Sequence, residues 1–191
     1  MDRACLLANI PDRGQLKRST KQPHLPVKIE RDASIILRPF MDHFKGFEKV
    51  GAVRAIFGDQ TEVVLRNLKV EFFSSRFGYM GVSDEDGHLI VSTYHLKSAD
   101  LKILYLDIVH ELHHVKQFQE GRPLFDSKYE YPDNPTEIDA YRPTVEEAKR
   151  IGMPEAEIVE YLNVEWMTPA QHKRLVRRMG LGKSDKASSA K

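Results

Sequence analysis

The chain has 191 residues, of which 41% are hydrophobic and 30% charged, with a net charge of +1. That is the balance of a globular protein with one sizeable core, and it gives no sign of a nucleic-acid or membrane partner. The single cysteine, Cys5, excludes an intramolecular disulfide and fits a reducing, cytoplasmic setting. The apolar run ending at Pro11 is too short for a signal segment or a membrane span.

In chain order, residues 1–30 mix charges with Pro11, Pro23 and Pro26 and show no period, so they read as an irregular arm. Residues 31–180 read as one domain. Apolar residues recur at helical spacing through residues 33–44, with a break or kink at Pro39, and again through residues 47–57. From Leu68 the pattern turns to short stretches rich in β-branched and aromatic residues: "LKVEFFSS", "FGYMGVS" and "HLIVSTYHL". The Asp86-Gly87 pair between the last two is a hairpin signal, and a three-stranded antiparallel meander is expected.

Ser98-Ala99-Asp100 offers N-cap chemistry to a periodic run from Leu101 to about Gln119, which Gly121 and Pro123 close. After a polar loop, "NPTEIDAY" and, beyond Pro143, "TVEEAKRIG" make two helical pieces or one kinked helix. Residues 153–180 form a helical extension in which Thr168 caps a last helix and Pro169 takes its first position. Residues 181–191 read as a disordered tail.

The run "DIVHELHHVKQ", residues 107–117, carries the chemistry. Taking His110 as origin, helical geometry places His114 at about 40°, Asp107 at about 60° and Glu111 at about 100°. Two imidazoles and a carboxylate therefore share one face, the arrangement of an HExxH motif. There the histidines chelate a metal, zinc by preference, and the glutamate polarises a water. His113 falls at about 300° with Lys102, Lys116 and Glu120, a sector expected to face solvent. Apolar residues occupy most of the remaining circumference, so the helix should be buried, and buried polar groups need partners. Asp107 is placed to orient a ligand imidazole, or to pair with a nearby base.

A catalytic zinc takes three protein ligands, and the third must come from elsewhere in the chain. Among the downstream acids Glu137 is best placed. It begins a new helix after a loop long enough to reverse the chain, and Ala140 leaves room for close helix approach. Asp133 and Asp139 are reserves. Asn134-Pro135-Thr136-Glu137 also fits positions N-cap to N3, where a glutamate closes a capping box and needs no metal.

His110-Glu111-Leu112-His113-His114, followed 23 residues later by Glu137, resembles the gluzincin branch of zinc metallopeptidases, over roughly residues 47–152. The resemblance implies a minimal α+β zincin-like fold. In it a small sheet packs on the active-site helix, and a second helix bears the glutamate ligand. It implies that the edge strand, expected in "HLIVSTYHL" around Leu89 to Thr93, holds extended peptide. Many gluzincins carry an aspartate four residues after the ligand glutamate. Here that position is Tyr141, which can bond a ligand histidine, donate to a developing oxyanion, or pack as an ordinary helix residue.

The implied function is zinc-dependent hydrolysis of peptide bonds, with His110, His114 and Glu137 as ligands and Glu111 as general base. The alternatives are a regulatory protein that binds or cleaves one partner, such as a transcriptional repressor, and a non-catalytic metal-binding protein. His88 and His95 flank the third strand segment and read as solvated or locally bonded. A latency role for Cys5 as a thiolate cap has no support beyond its presence. The basic face of residues 173–178 reads as a solvated helix surface rather than a nucleic-acid contact.

Overall fold

Residues 24–76 and 80–182 are described by the computed structural model. The first 23 positions, with Cys5 and most of the expected arm, and the expected tail from residue 183 lie outside them. Leu181, expected to begin that tail, is instead buried against the last helix, its N–H bonded to the Val176 carbonyl. The elements run β1 (Lys28–Ile29), β2 (Leu37–Pro39), α1 (Phe40–His43), β3 (Phe44–Lys45), α2 (Gly51–Phe57), α3 (Thr61–Asn67), β4 (Lys69–Phe73), β5 (Met80–Val82) and β6 (Leu89–Ser92). They continue with α4 (Thr93–Ser98), α5 (Leu101–Gln119), α6 (Pro135–Arg150), α7 (Glu155–Tyr161) and α8 (Pro169–Arg178). This is a small α+β fold. A short mixed sheet packs against α5, and the glutamate-bearing α6 follows.

The helical period expected through residues 33–44 resolves differently. Leu37–Pro39 is an extended edge strand and only Phe40–His43 is helical. Proline has no N–H to give a ladder, so it tolerates an edge strand and ends it, serving here as N-cap residue of α1. Phe40, Phe44 and Phe47 then point into the core without exposure. Phe47 stacks on Tyr105 of α5 at 5.7 Å, a contact of a kind worth about 0.5–1.5 kcal/mol beyond area burial.

The expected antiparallel meander is corrected. The sheet order is β2-β4-β6-β5, with β5 and β6 antiparallel as the hairpin signal requires, but β4 and β6 parallel, Val70 facing Leu89 and Phe73 facing Ser92. The strand expected at the edge is therefore central, and β5 and β2 are the edges. The composition of β6 carries the reason: Leu89, Val91 and Ser92 are buried and Ile90 half-buried, the pattern of a strand covered on both faces. The strand also stops early. Ser92 turns into an N-cap, its hydroxyl accepting from His95 N, and residues 93–98 form α4.

Gly87 closes the β5–β6 hairpin with φ +76°, and a Cβ there would stand 2.3 Å from Cδ1 of Phe118 on α5. The turn thus needs glycine twice, for its left-handed backbone and for the close approach that lays the hairpin on the helix.

Asp100 caps α5 by accepting from Lys102 N at 2.8 Å. Every residue from 102 to 110 is buried, as the nearly all-round apolar pattern demands. Lys102 departs from the solvent sector expected for it. It is covered by α7, and its ammonium lies 2.7 Å from Glu157 Oε2. α6 is one helix with Pro143 inside it, and next to that missing N–H Thr144 Oγ1 donates back to the Ala140 carbonyl. Tyr105 OH and Arg150 both bond the buried Glu147 carboxylate, tying α5 to α6.

Candidate metal centre

α5 and α6 pack closely, and at their contact three buried side chains converge. His110 and His114, one turn apart on α5, bring their Nε2 atoms within 3.0 Å of each other. Glu137, at the third position of α6, places Oε2 3.4 Å from His110 Nε2 and Oε1 3.6 Å from His114 Nε2. Among the described residues this is the group of three or more His, Cys, Asp and Glu side chains that could hold a metal ion.

The donor set fits such an ion. Two nitrogens bound to one zinc at about 2.0–2.1 Å in tetrahedral geometry stand about 3.3 Å apart. The imidazole pair is already close to that spacing. Glu137 Oε2 is buried with no hydrogen-bond partner, a cost that a cation would remove. The capping-box reading of Glu137 is set aside by the same geometry. Asn134 caps α6 by accepting from Thr136 N, while both Glu137 oxygens face histidines.

The electrostatics follow from the packing. Burial disfavours the charged forms of Glu137 and His114, but their mutual attraction overcomes it. The Glu137 carboxyl is held well below the usual carboxylate range by His114 and His110, and His114 is raised to about 9 mainly by Glu137. Glu111 is only half-buried by surface area, yet its carboxyl is crowded by protein. This desolvation pushes its pKa up, against the pull of His110 and His114. Half-buried His113 is pushed down to about 4, first by desolvation and then by its two histidine neighbours.

Other foreseen residues land elsewhere. Asp107 accepts from His95 Nε2 at 2.8 Å, while His110 Nδ1 has no hydrogen-bond partner, so Asp107 does not orient that ring. His95, expected to be solvated or bonded locally, is instead buried and paired across 12 residues. His88 bonds Asp86 within its own turn and Glu71 on β4 at 3.0 Å. Tyr141 packs its ring on His110 at 4.3 Å and shares a hydrogen bond with the Tyr131 hydroxyl at 2.9 Å. The reserve acids are engaged by arginines: Asp139 by Arg122 at 2.9 Å, and Asp133 by Arg178 at 2.6 Å and Arg174 at 3.3 Å.

One residue at the site was not foreseen. Gln117 is fully buried and bonds His114 Nδ1. It lies about 20° from His110 around the helix, and a long polar side chain on a buried face was the available signal.

The fold and the cluster together are consistent with a zincin-like metal-binding site on two helices. Compared with protein families, curated proteins and solved structures, the chain matches none of them. No helix among the described residues is long and apolar enough to cross a membrane.

Proposed function

We propose that this chain is a zinc-dependent peptidase of the gluzincin type. The observation that carries the reading is the convergence of His110, His114 and Glu137, with Glu111 on the adjoining face of the same helix. Two imidazoles and one carboxylate favour zinc over harder cations, which prefer oxygen donors. A cation held there would polarise a peptide carbonyl and make a water acidic enough to ionise near neutral pH.

The protein's own groups supply the proton traffic. Glu111 takes the proton from the attacking water and delivers it to the leaving amine. Desolvation raises its pKa, which favours its acting as acid as well as base. Tyr141 holds the His110 ring in place by packing, its hydroxyl already shared with Tyr131. Extended substrate pairs with β5, the sheet edge that packs beside α5, in place of the strand first expected.

The test compares wild-type protein with Glu111→Gln for zinc content and cleavage of a peptide library. Both should hold one zinc, and the variant should lose about 10²–10⁴-fold in rate. Stoichiometric zinc with no cleavage by the wild type would favour a binding or single-partner regulatory protein. Absence of bound metal would refute the proposal.

A further inference from the structure

Gln117 lies one turn beyond His114, and its carboxamide spans two helices. Oε1 stands 2.7 Å from His114 Nδ1, and Nε2 donates to the Thr136 carbonyl at 2.9 Å. A carbonyl only accepts, so the amide nitrogen must face Thr136 and the amide oxygen must face His114. That oxygen has no proton to give, so Nδ1 carries the hydrogen. In a neutral ring Nε2 is then left with its lone pair, aimed at the space between His110 Nε2 and Glu137 Oε1. Thr136 is itself fixed, its N–H and hydroxyl both donating to Asn134 Oδ1 at 3.1 and 2.8 Å. The Thr136 carbonyl belongs to the peptide that leads into Glu137.

The geometry points to Gln117 as the positioning residue that assembles the cation site. It selects the Nδ1–H tautomer of His114 and, through the Thr136 carbonyl, sets the start of α6 from which Glu137 reaches both histidines. One buried side chain thereby aligns ligands on two helices. This rests on reading His110, His114 and Glu137 as cation ligands. A merely structural bridge between helices would stabilise the fold without selecting a ring tautomer.

Zinc affinity is measured by competition with a chromophoric chelator for full-length wild type, Gln117→Met and Gln117→Glu. Thermal unfolding of each metal-free form and ¹⁵N-imidazole spectra of each zinc-loaded form accompany it. Methionine keeps the length and packing but makes neither bond, and its zinc Kd should weaken by about 10–100-fold. Glutamate restores the acceptor to His114 but not the donor to Thr136, and should recover part of that loss. In the wild type, His114 should be metallated at Nε2 and keep a slowly exchanging Nδ1 proton. Binding through Nδ1 overturns the proposal, and so does equal affinity in wild type and Gln117→Met. So does a glutamate variant as weak as the methionine one. If Gln117→Met does not fold, the wild-type spectrum and the Gln117→Glu affinity still decide. Failure of the wild type to bind zinc removes the metal site itself, an outcome distinct from tight binding by all three proteins.

Discussion

His114 carries a proton that a metal must displace. In the metal-free protein its pKa is raised to about 9, with burial opposing and Glu137 prevailing. The sign follows from linkage. A raised folded-state value adds stability that is complete below the ordinary histidine pKa and is lost as pH climbs through about 9. Glu137, depressed by the two histidines against the cost of burial, adds stability that is present above the usual carboxylate range and is lost as pH falls below that range towards its depressed value. The metal-free protein should therefore lose stability from neutral pH towards pH 9, while zinc affinity rises about tenfold per pH unit over the same window as one proton is released. Calorimetry in buffers of different ionisation enthalpy measures that proton directly, and a pH-independent affinity would contradict the pairing. At this scale the sequence was legible in part. Side-chain angles on one helix follow from spacing alone, so His110, Glu111 and His114 could be grouped. The partners of Asp107 and Lys102 could not, because His95 and Glu157 belong to other elements.

Elements were readable where their signals are local. α5 begins at its Asp100 cap and ends before Gly121, and α8 has the expected Thr168 cap with Pro169 in first place. The hairpin at Asp86-Gly87 formed, since a turn signal acts over four residues. Strand order did not follow, because nothing in a short apolar run states which neighbour it will pair with. Gly87 tests how the hairpin is laid on α5. Gly87→Ala must place a Cβ against Phe118 as well as adopt positive φ, whereas Gly121→Ala meets open space at φ +72°. Both should destabilise, Gly121→Ala by about 1–2 kcal/mol and Gly87→Ala by measurably more, in urea unfolding. Equal losses would mean that Phe118 moves aside freely. In α8, fully buried Leu175 should cost about 2–5 kcal/mol on truncation to alanine, and half-exposed Arg178 less than about 1 kcal/mol.

Across the whole molecule, the cation site ties α5 to α6 through buried ligands, so occupancy should register as global stability. At a zinc concentration about 100-fold above Kd, binding adds about 2.7 kcal/mol. For a chain of this size that amounts to a rise of several degrees in Tm. Chelation should reverse it, and Glu137→Ala should abolish most of it in thermal unfolding. The basic C-terminal helix also looks different at this scale. Arg174 reaches Glu130 and Asp133, and Arg178 reaches Asp133, so part of its charge clasps the segment just before α6. Local spacing was enough for the helical runs of α5, α6 and α8, the Asp100 and Thr168 caps, the buried character of α5 and the shared face of His110, Glu111 and His114. All of these depend on residues within a few positions of one another. The parallel pairing of β4 with β6, the placement of Glu137 against the histidines rather than in a capping box, and the Gln117 bridge came from the packing of separate segments. Each of those depends on which distant segments share a buried space, where an unpartnered polar group is too costly to leave alone.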